Sequence, residues 1–339
     1  MTLRQDGDPA VGTETGRASE RQAKEKKSAE PSGMCPPHVF AVCAYRESPY
    51  LEECLNSLLA QTEKSRIIVC TSTPSAFLTE LCRKYGLPLY VRDGESSLCA
   101  DWNFAVETAV RETLEQGRNV QEKAGASNAG AMQKEAGQKA AACQKAETIP
   151  SVMVTIAHQD DRYHKEYTAE LCSAYRKWPD LRLFCTRYRT IDAAGAAAAG
   201  IGTAERIKRI LRLPLRLQGL CAGTWWKRLP LRLGNSIGCP TCTYVLGKAD
   251  LPLFRRPYAF VIDWDTLWRL AGEPGRFICR EKELMDYRVH SGAATMANIA
   301  NHNREKEETE MFHRMWPGPI AGFLMHFYKR AYHAYERAD

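Results

Sequence analysis

The chain has 339 residues, 44% of them hydrophobic and 26% charged, with 13 cysteines and a formal net charge of +7. That apolar share is enough to build one large α/β domain or two small ones. No apolar run approaches bilayer length, and the polar, charged amino terminus has no apolar stretch, which argues against a spanning segment and a signal peptide. The odd cysteine count, with Cys43, Cys70, Cys185 and Cys279 set inside apolar runs, reads as reduced thiols behaving as small hydrophobes, and so predicts a cytoplasmic setting.

Residues 1–33 carry no aromatic side chain and are rich in Lys, Glu, Gly and Ser, a composition expected of a disordered tail. Val39–Ala44 then reads as a buried strand, followed by a helix carrying Leu51, Cys54, Leu55, Leu58 and Leu59 at helical spacing. Arg66–Thr71 is the second predicted strand. Ala76–Tyr85 is a helix stopped by Gly86, and Leu87–Val91 is a short strand that Pro88 assigns to an edge. This βαβαβ order implies a doubly wound, mostly parallel sheet flanked by helices. A helix through Trp102, Phe104, Ala105 and Val110 leads into residues 111–149, whose Ala, Gln, Lys and Gly show little apolar periodicity and predict a low-complexity surface insertion.

Val152–Ile156 is a further buried strand, broken abruptly by His158-Gln159-Asp160-Asp161. Paired carboxylates then fall at the carboxyl end of a strand, the sheet edge where open α/β folds bind ligands. Hard oxygen ligands of this kind suit Mg²⁺ or Mn²⁺, which keep positions open for substrate phosphates. The competing structural role is to cap the helix beginning near His164. Tyr167–Trp178 (helix) and Leu181–Thr186 (strand) follow, and the Ala/Gly-rich run Ala193–Gly202 predicts a mobile loop.

Residues 206–232, inside a basic amphipathic segment covering 203–233, hold eight Lys or Arg and no acidic residue, interleaved with Ile, Leu and the pair Trp225-Trp226. Two readings stay open: a stretch lying on an anionic membrane face, or a core-packing helix pair with solvated arginines, interrupted at Pro214 and Pro230. Nucleic acid is not an expected partner, since the aromatics are clustered and no nucleic-acid motif is present. Cys239-Pro240-Thr241-Cys242 lacks the second cysteine pair of a zinc site and reads as structural. Residues 301–339 are expected to form a helical extension after a domain covering 34–300.

Several separated segments together resemble the family 2 glycosyltransferases, inverting enzymes of the GT-A fold. Ala44-Tyr45-Arg46-Glu47 resembles the loop after the family's opening strand, and His158-Gln159-Asp160-Asp161 its Asp-X-Asp-Asp run. Asp263-Trp264-Asp265 resembles its Glu-Asp-Trp-Asp segment, and Tyr287-Arg288-Val289-His290 its Tyr-Arg-X-His close. The resemblance covers roughly residues 38–295 and rests on order and spacing.

It implies transfer of a sugar from a nucleotide-sugar donor to a glycan or lipid-linked acceptor; the basic segment, in its membrane reading, would put that activity at the inner membrane face. Asp263 is the implied general base, with Asp265 the alternative. A divalent metal is implied on Asp160, Asp161 and His290. Donor contacts are implied at Ala44, Tyr45, Glu47, Thr71, Asn103, His158 and Asp160. Three departures stand out: His158 in place of an Asp, Ile262 in place of a Glu, and Cys70-Thr71-Ser72-Thr73 where an acidic pair is common. The alternatives are a noncatalytic membrane-docking scaffold on the same fold and a metal-dependent nucleotidyltransferase.

Overall fold

A computed structural model describes residues 35–129, 151–198, 202–290 and 303–336. The expected tail (1–33), the later part of the expected insertion (130–149), residues 199–201 of the expected loop and the segment 291–302 lie outside the described residues.

The first half folds as the periodicity predicts. β1 (His38–Ala44) and β2 (Arg66–Thr71) are apolar runs buried along almost their whole length. α1 (Leu51–Leu59) buries Leu51, Cys54, Leu55 and Leu58 on one face. α2 (Ala76–Tyr85) has both of its ends written in the sequence. The Ser75 hydroxyl accepts from the Leu78 N–H at 3.2 Å, and Gly86 adopts the left-handed conformation at φ 61° that terminates the helix. β3 (Leu89–Val91) is the edge strand.

α3 (Leu98–Ala129) is longer than expected, since residues predicted as the start of an insertion continue the helix. Leu114 is buried inside the stretch where that insertion was expected to begin, continuing the face of Ala109 and Val110. β4 (Val152–His158) runs two residues past the predicted end and delivers Asp160 and Asp161 into the turn that follows. Next come β5 (Arg162–Tyr163) and α4 (Tyr167–Lys177), whose N-cap position is Glu166, so neither Asp160 nor Asp161 caps that helix.

The second half differs more. β6 (Leu181–Ile191) extends well beyond Thr186, and Ile191 bridges to Ala197, so the run expected as a loop begins as a tight turn. α5 (Gly202–Leu211) and α6 (Thr224–Arg228) are joined and followed by 3-10 turns at Leu213–Arg216 and Leu229–Leu231. Within this basic stretch Arg212 and Lys227 are buried. Arg212 donates to the Ser236 carbonyl, and Lys227 to the carbonyls of Glu273 (2.5 Å) and Gly275 (2.9 Å). Two of the expected solvated cations are therefore internal props. β7 (Thr243–Leu246), α7 (Ile262–Leu270), β8 (Arg276–Arg288), α8 (Asn303–Met315) and α9 (Gly318–Glu336) complete the described elements.

The eight strands form one sheet in the order β3-β2-β1-β4-β7-β6-β8-β5. The pairs β1–β2, β1–β4, β2–β3 and β6–β8 are parallel, whereas β7 is antiparallel to both neighbours and β5 antiparallel to β8. Strand alternation sends Val39 and Ala41 into one apolar cluster with α3, α7 and α8, and Phe40 and Val42 into a second with α1, α2 and α4. Helices thus cover both faces, the doubly wound α/β architecture expected. At the far edge Asp286 accepts from Arg162 (2.8 Å), Arg189 (3.0 Å) and His164 (3.2 Å), which locks β5 onto β8.

The carboxyl-terminal extension is part of the domain. From α8, the Glu307 carboxylate accepts the backbone N–H groups of Ala259 (2.8 Å), Phe260 (2.8 Å) and Val261 (3.0 Å), immediately ahead of α7. A carboxylate that gathers three backbone N–H groups at the approach to a helix combines charge-assisted hydrogen bonds with the favourable end of the helix dipole. Glu307→Ala is expected to lower unfolding stability by roughly 2–4 kcal/mol, with Glu307→Gln losing a smaller share. Urea denaturation reads this as a fall in midpoint at unchanged slope.

Candidate active site

Strand register decides where the site forms. Ala44 at the end of β1 lies opposite Thr71 at the end of β2, and Cys43 lies opposite His158 at the end of β4. Three parallel strands therefore stop on one line, and the loops beyond them border a cavity of ≈ 560 Å³, a size suited to a small organic ligand.

Asp160 occupies the turn after β4. One carboxylate oxygen accepts from the Ser48 hydroxyl at 2.6 Å, and the other lies 3.2 Å from Nε2 of His290. Its side chain remains 24% exposed and lines the cavity. Asp161 is turned inward and is 1% exposed; its Oδ1 accepts from the Arg288 N–H at 2.9 Å, while its Oδ2 makes no hydrogen bond. Burial pushes the Asp161 carboxyl well above the ordinary range, against the pull of that N–H. His158 lies against the Trp102 ring (centroids 5.3 Å apart), and desolvation lowers its pKa to about 4, so the imidazole is neutral near pH 7.

Among the described residues no group of three or more His, Cys, Asp or Glu side chains is placed to hold a metal ion. Asp160 is open to the cavity with the His290 imidazole beside it, while Asp161, one residue on, is turned inward and buried. A sparse, oxygen-led donor set fits a divalent ion that takes its remaining ligands from a bound phosphate and water.

Asp263, in the first turn of α7, lines the same cavity from another element. Its carboxylate accepts from Asn235 Nδ2 (2.8 Å) and the Trp264 N–H (2.8 Å). Desolvation pushes its pKa up to about 6, in spite of those two hydrogen bonds. Asp265 takes no part in the cavity. It is 5% exposed, ion-paired with Arg314 and 4.0 Å from Arg256, because residues two apart on a helix lie on different faces.

Of the expected donor contacts, Ala44, Tyr45, Thr71, His158 and Asp160 line the cavity, and two do not. Glu47 is exposed outside it. Asn103 is occupied by the backbone of Phe254, donating to its carbonyl (2.7 Å) and accepting from its N–H (2.9 Å), so it braces a loop. Tyr45 is held by its backbone to both ends of the Gln159 amide (2.9 and 3.1 Å) and is 46% exposed at the rim. Ser48, Asn235 and the bracing role of Arg288 were not read from the sequence. A lone Ser or Asn in a loop carries no local signal, whereas Arg288 stood inside a quoted motif. Both cysteines of Cys239-Pro240-Thr241-Cys242 are buried and free in a 3-10 turn whose Pro240 carbonyl accepts from Tyr163 (2.6 Å), the structural role expected. No helix among the described residues is long and apolar enough to cross a membrane.

No protein-family model matches the chain, and no curated protein matches it in sequence. Among solved structures it is similar to S. aureus TarS 1-349 in complex with UDP-GlcNAc, at 13% identity and a TM-score of 0.45 over 78% of this chain. It spans 61% of that TarS chain, under two thirds of its length. It is similar to a mannosyltransferase from Pyrobaculum calidifontis in complex with GDP-Man and Mn²⁺, at 14% identity and a TM-score of 0.49, over 90% of this chain and 73% of the other. It is also similar to glucosyl-3-phosphoglycerate synthase from Mycobacterium tuberculosis in complex with Mg²⁺ and UDP, at 11% identity and a TM-score of 0.40, over 80% of this chain and 76% of the other. Identity this low leaves residue roles to the geometry of the site itself.

Proposed function

We propose that this protein is an inverting glycosyltransferase of the family 2, GT-A type, moving a sugar from a nucleotide-sugar donor to a hydroxyl acceptor on a glycan or a lipid-linked carrier. The observation that carries this reading is one cavity holding two carboxylates in contrasting environments, Asp160 beside His290 and Asp263 recessed with its pKa raised to about 6. Two carboxylates set apart by their surroundings are suited to two different tasks.

Asp160, with His290 beside it and Asp161 behind, would hold a divalent ion together with the donor diphosphate. When bound, that ion supplies positive charge where the leaving diphosphate gains negative charge. The ends of β1 and β2 hold the nucleoside, with Tyr45 at the rim and the Thr71 hydroxyl in place of an acidic pair. Asp263 accepts the proton of the acceptor hydroxyl as its oxygen bonds to the anomeric carbon. The bond from that carbon to the diphosphate breaks, and the nucleoside diphosphate departs with the electron pair. Asn235 and the Trp264 N–H hold the carboxylate in place for that proton.

The base works only when ionised, so kcat/KM rises with pH through the pKa of Asp263. Below about pH 6 the rate is expected to fall tenfold per unit, measured as initial rates across buffers. Asn235→Leu removes a hydrogen bond that stabilises the carboxylate and is expected to move this limb to higher pH. Asp263→Asn is expected to lower kcat by roughly 10²–10⁴-fold with donor binding kept; unchanged turnover would refute the base assignment. Calorimetric titration of a panel of nucleoside diphosphates is expected to give Mn²⁺-dependent binding of one of them, lost in Asp160→Ala. Release of pyrophosphate in place of a nucleoside diphosphate would indicate nucleotidyl transfer, and failure of every nucleotide to bind would indicate a scaffold.

A further inference from the structure

α5 has its polarity reversed for a surface helix. Glu205 and Lys208 face the cavity, where both hydrogen-bond the Tyr188 hydroxyl (2.5 and 2.9 Å). The apolar residues of the opposite face point to solvent. Ile207 is 53% and Ile210 63% exposed, and the surface continues through Leu213 and Leu217 in the next turn, at 42% and 51%. Trp225, on α6 of the same packed group of short helices, is 54% exposed with its ring edge-to-face on Trp226. An outward apolar surface of this extent marks an interaction site.

The cations identify the partner. Of the eight basic residues between 206 and 232, Arg212 and Lys227 are internal, and Arg228 and Arg232 stack on Trp268 and Trp316 at 4.4 and 5.5 Å. Lys208 is engaged with Tyr188, and Arg216 pairs with Glu281 at 2.9 Å. Arg206 and Arg209 remain, both exposed beside Ile207 and Ile210, and among the described residues no acidic side chain pairs with either. A second copy of this chain fits poorly. A two-fold contact would bring four of these arginines together across an interface to which the 206–232 segment contributes no carboxylate.

We infer that the outward face of α5 and the turn after it dock on an anionic phospholipid surface. Ile207, Ile210 and Leu213 enter the boundary between headgroups and acyl chains, and Arg206 and Arg209 meet lipid phosphates. Because the other face of α5 borders the cavity, docking sets the cavity beside the lipid surface. The docking stands independently of the transfer reaction proposed above.

The test is flotation of the full chain with phosphatidylcholine vesicles, with and without phosphatidylglycerol, at low and high salt. Tryptophan emission is followed in the same samples. Binding is expected only with phosphatidylglycerol, weakening as salt rises, with a blue shift that Trp225→Phe diminishes. Ile207→Asp/Ile210→Asp is expected to weaken binding at least about tenfold. Arg206→Glu/Arg209→Glu should do the same and covers a folding failure of the first variant. Phe323→Asp, on the exposed face of α9, should change nothing. Thermal melts and nucleoside diphosphate titration of each variant separate loss of docking from loss of the nucleotide site. The inference is overturned by no vesicle binding, by equal binding to neutral vesicles, by binding unchanged in both double variants, or by equal loss in Phe323→Asp. A dimer in sedimentation that dissociates in Ile207→Asp/Ile210→Asp, without vesicle binding, would assign the face to self-association.

Discussion

The Arg288 guanidinium is buried at the end of β8, and a charge in that position must find a partner for nearly every N–H or unfold its surroundings. Its partners are drawn from three different connections. Nε donates to the Asp160 carbonyl (2.9 Å), one terminal nitrogen to the carbonyls of Asp192 (3.2 Å) and Ala193 (3.0 Å), and the other to the Glu53 carboxylate (2.5 Å). The guanidinium also lies over the Tyr50 ring at 4.4 Å, and that ring in turn contacts His290 at 5.0 Å. The loops after β4 and β6 and the start of α1 are thus tied to one planar fork. Asp160 therefore has its backbone fixed by Arg288 and its side chain by Ser48 and His290 before any ligand arrives, the preorganisation that an electrostatic site needs.

The two sides of the cavity are built by different means. Around Asp160 the carboxylate is hydrogen-bonded yet open to solvent, and a neutral His158 and a buried Asp161 flank it without adding a fixed positive charge at the opening. Around Asp263 burial dominates, with Asn235 the side chain bonded to the carboxylate and the Lys208 charge acting on it more weakly. There the hydrogen bonds from Asn235 and the Trp264 N–H only partly offset desolvation. The first environment leaves the carboxylate open to a cation; the second favours a carboxyl group that can exchange a proton near neutrality.

Much of the first half of the fold was legible because its signals are local. The bounds of β2 and α2 agree with the predicted Arg66–Thr71 and Ala76–Tyr85, the latter read from the stop at Gly86. β7 and β8 were missed for reasons of chemistry. Thr243–Leu246 is too short to show a period, and β8 is interrupted by the charged run Arg280–Lys282, where its pairing with β6 shifts register. The site was half legible. Asp160 and Asp263 follow from order and spacing, but Asp265 and Asn103 have the same residue chemistry and were separated from the cavity only by which way their elements face. The basic stretch misled in a related way, since a sequence does not distinguish an arginine in solvent from one satisfying an internal carbonyl, as Arg212 does.

The Glu307 cradle ties the first turn of α7 to a helix that follows every other element of the cavity except α9. On a ribosome the sheet and the Asp160 surroundings can be assembled while the segment bearing Asp263 still lacks the carboxylate that orders its backbone. A product cut short between β8 and α8 would lack the carboxylate that gathers the backbone N–H groups of Ala259, Phe260 and Val261, leaving the approach to Asp263 to the hydrogen bonds of Asn235 and Trp264.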